Sequence, residues 1–132
     1  MKSFTVFVVD DDESVRKALE RLLRTNGYQV MTFESAEDFL HTGLVPTEGC
    51  IVLDMRLPGM PGLDLWEKLA SSEVNCPVIF MTAHDNPQWQ ERAAKTDAVA
   101  YLQKPFDQHS LLRAVDSACR RSATAKAGSH HS

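Results

Sequence analysis

Short apolar runs and amphipathic stretches alternate five times along the chain. The runs Phe4–Val9, Tyr28–Thr32, Cys50–Leu53, Val78–Met81 and Val99–Leu102 are rich in Val, Ile and Phe, as expected of strands covered on both faces. Between the first two, Val15, Ala18, Leu19, Leu22 and Leu23 recur at helical spacing and stop at Asn26-Gly27. Ser35 can cap a short helix containing Ala36, Phe39 and Leu40, with Glu37 and Asp38 in its first turn. Leu65, Trp66, Leu69 and Ala70 mark a third helix. A thinner stripe of Trp89, Ala93 and Ala94 marks a fourth over about Pro87–Lys95. Asp107 can cap a fifth, where Leu111, Leu112, Val115, Ala118 and Cys119 recur. Strict alternation of the two kinds of segment predicts an α/β fold, a parallel sheet with helices on both faces.

After Arg121 the pattern stops. Residues 122–132 are small and polar, and the ending Gly128-Ser129-His130-His131-Ser132 has an engineered look. They are read as a linker or appended tail without fixed structure, and residues 1–121 as one domain. A chain of 132 residues suits a single domain with its own core. Its 43% apolar and 24% charged residues are ordinary for a globular fold. The net charge of −4 and scattered basic residues argue against a nucleic-acid-binding face. Cys50, Cys76 and Cys119 form no Cys-x-x-Cys pair and predict buried free thiols in a reducing cytosol. No apolar run approaches the ~20 residues of a membrane-spanning helix, and Met1–Thr5 leads straight into a strand-like run rather than a signal peptide. The expectation is a cytoplasmic protein with no membrane partner.

In a parallel sheet, ligands gather beyond the carboxyl ends of the strands. The polar residues of this chain fall there: Asp10-Asp11-Asp12 after the first run, Asp54 after the third, Thr82-Ala83 after the fourth and Lys104-Pro105 after the fifth. Any one of them has an ordinary use, and Asp12 in particular can cap the helix that begins near Ser14. Together they bring several carboxylates to one place, which costs stability without a counter-charge. Mg²⁺, which takes oxygen ligands and keeps several waters, removes that cost. A carboxylate can also act as a nucleophile toward phosphorus, with an ammonium and a hydroxyl binding the phosphoryl oxygens.

The stretches Val8-Val9-Asp10-Asp11-Asp12-Glu13, Leu53-Asp54-Met55-Arg56-Leu57-Pro58-Gly59-Met60-Pro61-Gly62, Met81-Thr82-Ala83-His84 and Lys104-Pro105-Phe106 closely resemble bacterial two-component response-regulator receivers. Arg56 and His84 point to the FixJ-type subgroup. The resemblance covers about Phe4 to Arg121 and implies a flavodoxin-like (βα)5 doubly wound sandwich with strand order 2-1-3-4-5. It implies Asp54 as phosphoacceptor and metal ligand, Asp11 as a direct Mg²⁺ ligand and Asp10 as one acting largely through water. The backbone carbonyl of Arg56 would complete the metal's protein ligands, and Mn²⁺ would be able to substitute.

Thr82 and Lys104 correspond to the switch hydroxyl and the phosphate-binding lysine, and Tyr101 to the switch aromatic that turns inward on phosphorylation. Lys104-Pro105 is expected to be cis. A sensor histidine kinase would be the phosphodonor. A phosphorylation-dependent homodimer would form through the face of the fourth helix, fifth strand and fifth helix, with output through a DNA-binding domain. One departure is Asp97, where the family usually has Gly. Two rival readings stay open on the residues alone. One is a Mg²⁺-dependent phosphohydrolase resembling the haloacid dehalogenase superfamily, with Asp10 as nucleophile and Asp12 as acid-base. The other is a degenerate receiver acting as a constitutive interaction module.

Overall fold

The computed structural model describes residues 4–43, 49–71, 76–83 and 87–130, with side chains as far as Arg121. Strands β1 (Thr5–Val9), β2 (Gln29–Phe33), β3 (Gly49–Asp54), β4 (Val78–Thr82) and β5 (Ala100–Gln103) alternate with five helices. These are α1 (Glu13–Thr25), α2 (Ala36–His41), α3 (Gly62–Ser71), α4 (Pro87–Ala94) and α5 (Gln108–His130). All strand pairs are parallel and the order is β2-β1-β3-β4-β5, as the resemblance implied.

Each strand end falls within one residue of the apolar run that marks it. The differences arise because pairing uses the backbone and extends into polar residues. Thus β3 takes in Asp54, opposite Met81, and β4 takes in Thr82, opposite Gln103. The two central strands β3 and β4 are buried throughout, which explains their unbroken apolar sequence.

The sheet separates two apolar layers. On one side Val6, Val8, Cys50, Val52, Ile79 and Met81 pack against Leu19 and Leu23 of α1 and Leu111, Val115 and Ala118 of α5. On the other, Phe7, Val9, Ile51, Leu53 and Phe80 pack against α2, α3 and α4. Phe39 anchors the second layer, edge-to-face with Phe7 at 5.8 Å and Phe33 at 5.3 Å. Alternate residues of one strand thus supply both layers, as a pleated strand requires.

Helix starts follow their caps. The Asp12 carboxylate accepts from the N–H groups of Ser14 and Val15, and Ser35 Oγ accepts from Asp38 N–H at 3.0 Å. The thin stripe of α4 buries only Ala93, with Trp89 half-buried, and Trp66 likewise packs against the second layer. The loop at Asp97 is tied by Arg121, whose guanidinium donates to the Asp97 carbonyl. Helix α5 continues to His130, beyond Arg121 where an unstructured tail was expected. The backbone stays helical because Ala123, Ala125, Lys126 and Ala127 favour helix without needing an apolar partner. Cys50 is buried and Cys76 and Cys119 are half-buried, all as free thiols, and burial pushes the Cys76 thiol up to about 12.

Candidate functional site

Parallel register brings four strands to one rim at the same level, with Val9 beside Leu53, Asp54 beside Met81 and Thr82 beside Gln103. Chain reversal beyond that rim concentrates polar groups there. Asp10 is fully buried and held on every side. Its N–H donates to the Phe33 carbonyl at 3.1 Å and its carbonyl accepts from Arg16 Nη1 at 2.8 Å. Its Oδ1 accepts from Asp12 N–H at 2.9 Å and its Oδ2 from Lys104 Nζ at 2.6 Å. Asp11 beside it is exposed.

Asp54, 5% exposed, closes β3. Its Oδ1 accepts from Arg56 N–H at 3.0 Å and its Oδ2 from Lys104 Nζ at 3.3 Å. Gly62 is required behind it, since a Cβ at that position would lie 2.3 Å from the Asp54 carbonyl oxygen. Lys104 itself is set by its own N–H, which donates to the Thr82 carbonyl at 2.6 Å; the Lys104-Pro105 peptide is cis, as expected.

Burial raises the Asp54 carboxyl above the ordinary range; the Arg56 N–H and the Lys104 ammonium oppose it, and the Asp10 charge adds to it. Burial alone would lower Lys104, but its hydrogen bond to Asp10 and the charges of both acids win, so it is held up as an ammonium. One cation thus bridges two buried carboxylates. Oxygens of Asp10, Asp11 and Asp54 lie within 4.8 Å of one another. They open, with Arg56, Leu57, Pro58 and Lys104, onto a cavity of about 420 Å³. Three carboxylates at the wall of a cavity are a hard-oxygen donor set of the kind Mg²⁺ takes, and among the described residues no imidazole or thiol stands with them to favour a softer metal.

A model described as the response regulator receiver domain matches residues 6–116. This chain belongs to that family. The receiver is 43% identical over 116 residues to nodulation protein W of Bradyrhizobium diazoefficiens, covering 88% of this chain and 51% of the relative. It is 44% identical over 114 residues to the transcriptional regulatory protein TdiR of Thauera aromatica, covering 86% and 50%. Among solved structures, the response regulator StyR superposes with a TM-score of 0.89 at 41% identity, over 97% of this chain and 65% of that one. FixJ-N superposes with a TM-score of 0.81 at 36% identity, over 91% and 96%. The receiver spans about half the length of the curated relatives it matches.

The receiver's cavity gathers six of the charged residues singled out in the sequence: Asp10, Asp11, Asp12, Asp54, Arg56 and Lys104. Thr82 is buried at the end of β4, and its neighbour Ala83 lines the cavity. Tyr101 does not reach it. Its ring packs half-buried against the layer beneath α2, α3 and α4, and its hydroxyl is already buried. His84 lies outside the described residues.

The phosphohydrolase reading fails here. The Asp12 carboxylate caps α1, which leaves that reading without its acid-base, and the family of the chain is the receiver's. Sequence reasoning missed Arg16, whose position one turn into α1 gives no hint that it reaches back to the Asp10 carbonyl. It also missed Glu37, which accepts from Met60 N–H at 3.2 Å and steadies the loop after Asp54. In the sequence Glu37 is marked only as an acid in the first turn of α2, and such acids are common.

Proposed function

We propose that Asp54 is the phosphoacceptor of this receiver and that a sensor histidine kinase is its donor. What carries the reading is the Lys104 ammonium, placed between Asp10 Oδ2 and Asp54 Oδ2 beside the exposed Asp11. An Asp54 oxygen attacks phosphorus, a P–O bond forms, and the P–N bond to the kinase imidazole breaks with its electron pair leaving on nitrogen. The attacking carboxylate is already ionised and needs no base.

Asp10, Asp11, Asp54 and the Arg56 backbone carbonyl would hold Mg²⁺, or Mn²⁺ in its place. When bound, the ion offsets charge developing on the phosphoryl oxygens. Lys104 then moves its hydrogen bond from Asp54 to a phosphoryl oxygen, and the Thr82 hydroxyl binds another. The incoming dianion draws Thr82 and repacks Tyr101, which changes the α4–β5–α5 face through which a homodimer forms. The relatives' names as transcriptional regulatory proteins support an output in transcription, which in this reading passes through a DNA-binding domain in the cytoplasm.

Intact-mass analysis after incubation with acetyl phosphate tests this. One phosphoryl adduct that requires Mg²⁺ and disappears in Asp54→Ala is the expected result. Size-exclusion chromatography of the same sample reads the dimer. Absence of an adduct on the wild-type chain would leave the constitutive interaction module as the better reading.

A further inference from the structure

Arg16 stands on α1, outside the acid cluster, and its guanidinium reaches back 2.8 Å to the carbonyl oxygen of Asp10. That carbonyl belongs to the peptide joining Asp10 to Asp11. Because a peptide unit is planar, fixing its oxygen also fixes where the N and Cα atoms of Asp11 lie. Asp10 has other restraints, since its N–H and both carboxylate oxygens are bonded. Asp11 is exposed, and no bond to its side chain holds it among the described contacts. The orientation of the Asp11 carboxylate therefore depends on its backbone, which Arg16 grips at the Asp10–Asp11 peptide and Asp10 Oδ1 at the Asp11–Asp12 peptide.

Helix α1 in turn holds Arg16. The Asp12 cap begins the helix, and Arg16 N–H donates to the Asp12 carbonyl at 3.0 Å, placing the long side chain back over the turn that carries the acids. A guanidinium suits this use, being planar, permanently charged and half-buried here beside Asp10.

We propose that Arg16 is a positioning residue for the cation site, aiming Asp11 by clamping the Asp10–Asp11 peptide. The inference rests on the reading of Asp10, Asp11 and Asp54 as the metal-holding acids. It has a sign that a merely electrostatic role would reverse. Arg16 is a positive charge beside a cation site, so removing it would tighten metal binding if charge alone mattered. Removing a clamp would weaken binding instead.

The test is Mn²⁺ affinity by electron paramagnetic resonance on wild type and Arg16→Met, which keeps the stem and loses the donor. Far-ultraviolet circular dichroism checks the fold. Loss of an outer-shell partner commonly weakens metal binding about tenfold, and that loss is the expected result. With acetyl phosphate, the Mg²⁺ concentration for half-maximal Asp54 phosphorylation should rise by a similar factor, while the rate at saturating Mg²⁺ stays within about twofold. Unchanged or tighter Mn²⁺ binding in a folded variant would overturn the proposal, as would a loss confined to the saturated rate. Should the Met variant not fold, Arg16→Leu takes its place with the same outcomes. Failure of wild type to bind Mn²⁺ would strike the underlying site reading and not the role of Arg16.

Discussion

At the residue scale, the site is a balance between a buried acid and the groups that hold it ionised. Burial lifts the Asp54 carboxyl above the ordinary carboxylate range near 3.9 despite the Arg56 N–H and Lys104 beside it. A folded value above the unfolded one means that the folded chain binds more protons between the two. Stability contributed by Asp54 therefore falls as pH rises through its folded value. Asp54→Asn removes that penalty. The variant is expected to be more stable than wild type at pH 7 without divalent metal. Its advantage should shrink as pH falls through the folded value and vanish below about 4, where Asp54 becomes protonated in both states. Urea titrations across pH measure this, and a constant advantage at all pH values would mean that the charge is not its source. The same strain explains why a receiver keeps such a residue: a buried carboxylate with a raised pKa gains more from a cation or a covalent modification than a solvated one does.

At the scale of elements, the turns after the strands do the positioning. The β1–α1 turn divides its three acids by burial and bonding. Asp10 points into the rim, Asp11 stays exposed and Asp12 caps the helix. Asp12→Ala is expected to lower stability by about 1 kcal/mol through loss of the cap. It should leave the Asp54 adduct formed at wild-type yield, which denaturant titration and intact mass together would check. A large loss of adduct would give Asp12 a chemical part that its hydrogen bonds do not support. The β3–α3 turn is shaped by its glycines. Gly59 has φ of 78° and sits against the Glu37 carboxylate, and Gly62 has no room for a Cβ next to the Asp54 carbonyl. Helix α4, with Ala93 as its buried residue, is the least anchored of these elements. Among its outer ties is Arg92, paired with Glu67 at 2.6 Å and Asp64 at 3.7 Å on α3. Exposed pairs of this kind contribute about 0–1 kcal/mol, so this tie gives way cheaply.

For the whole molecule, Lys104 links sequence-distant parts through their charges, joining the end of β5 to the ends of β1 and β3. Lys104→Met would leave Asp10, with no exposure, without its ammonium, at a cost of about 3 kcal/mol in the absence of metal. Mg²⁺ should then raise the Tm of the variant more than that of wild type, because the ion supplies the missing counter-charge. Equal Mg²⁺ responses in differential scanning calorimetry would show that Lys104 does not compensate the acids. The sequence by itself determined the five strands, the helices between them and the identity of the acids. Apolar periodicity records which faces are buried, and strand-end polar residues record where a parallel sheet opens. The Asp12 cap was legible for the same reason, since capping is a contact within three residues. Contacts between elements were not legible. That Lys104 bridges two carboxylates, that Arg16 grips the Asp10 peptide, that Glu37 steadies the loop after Asp54 and that the Tyr101 hydroxyl is already buried all depend on strand register and helix packing. Residue types and local spacing carry no distance information across such separations, and only the tertiary structure supplies it.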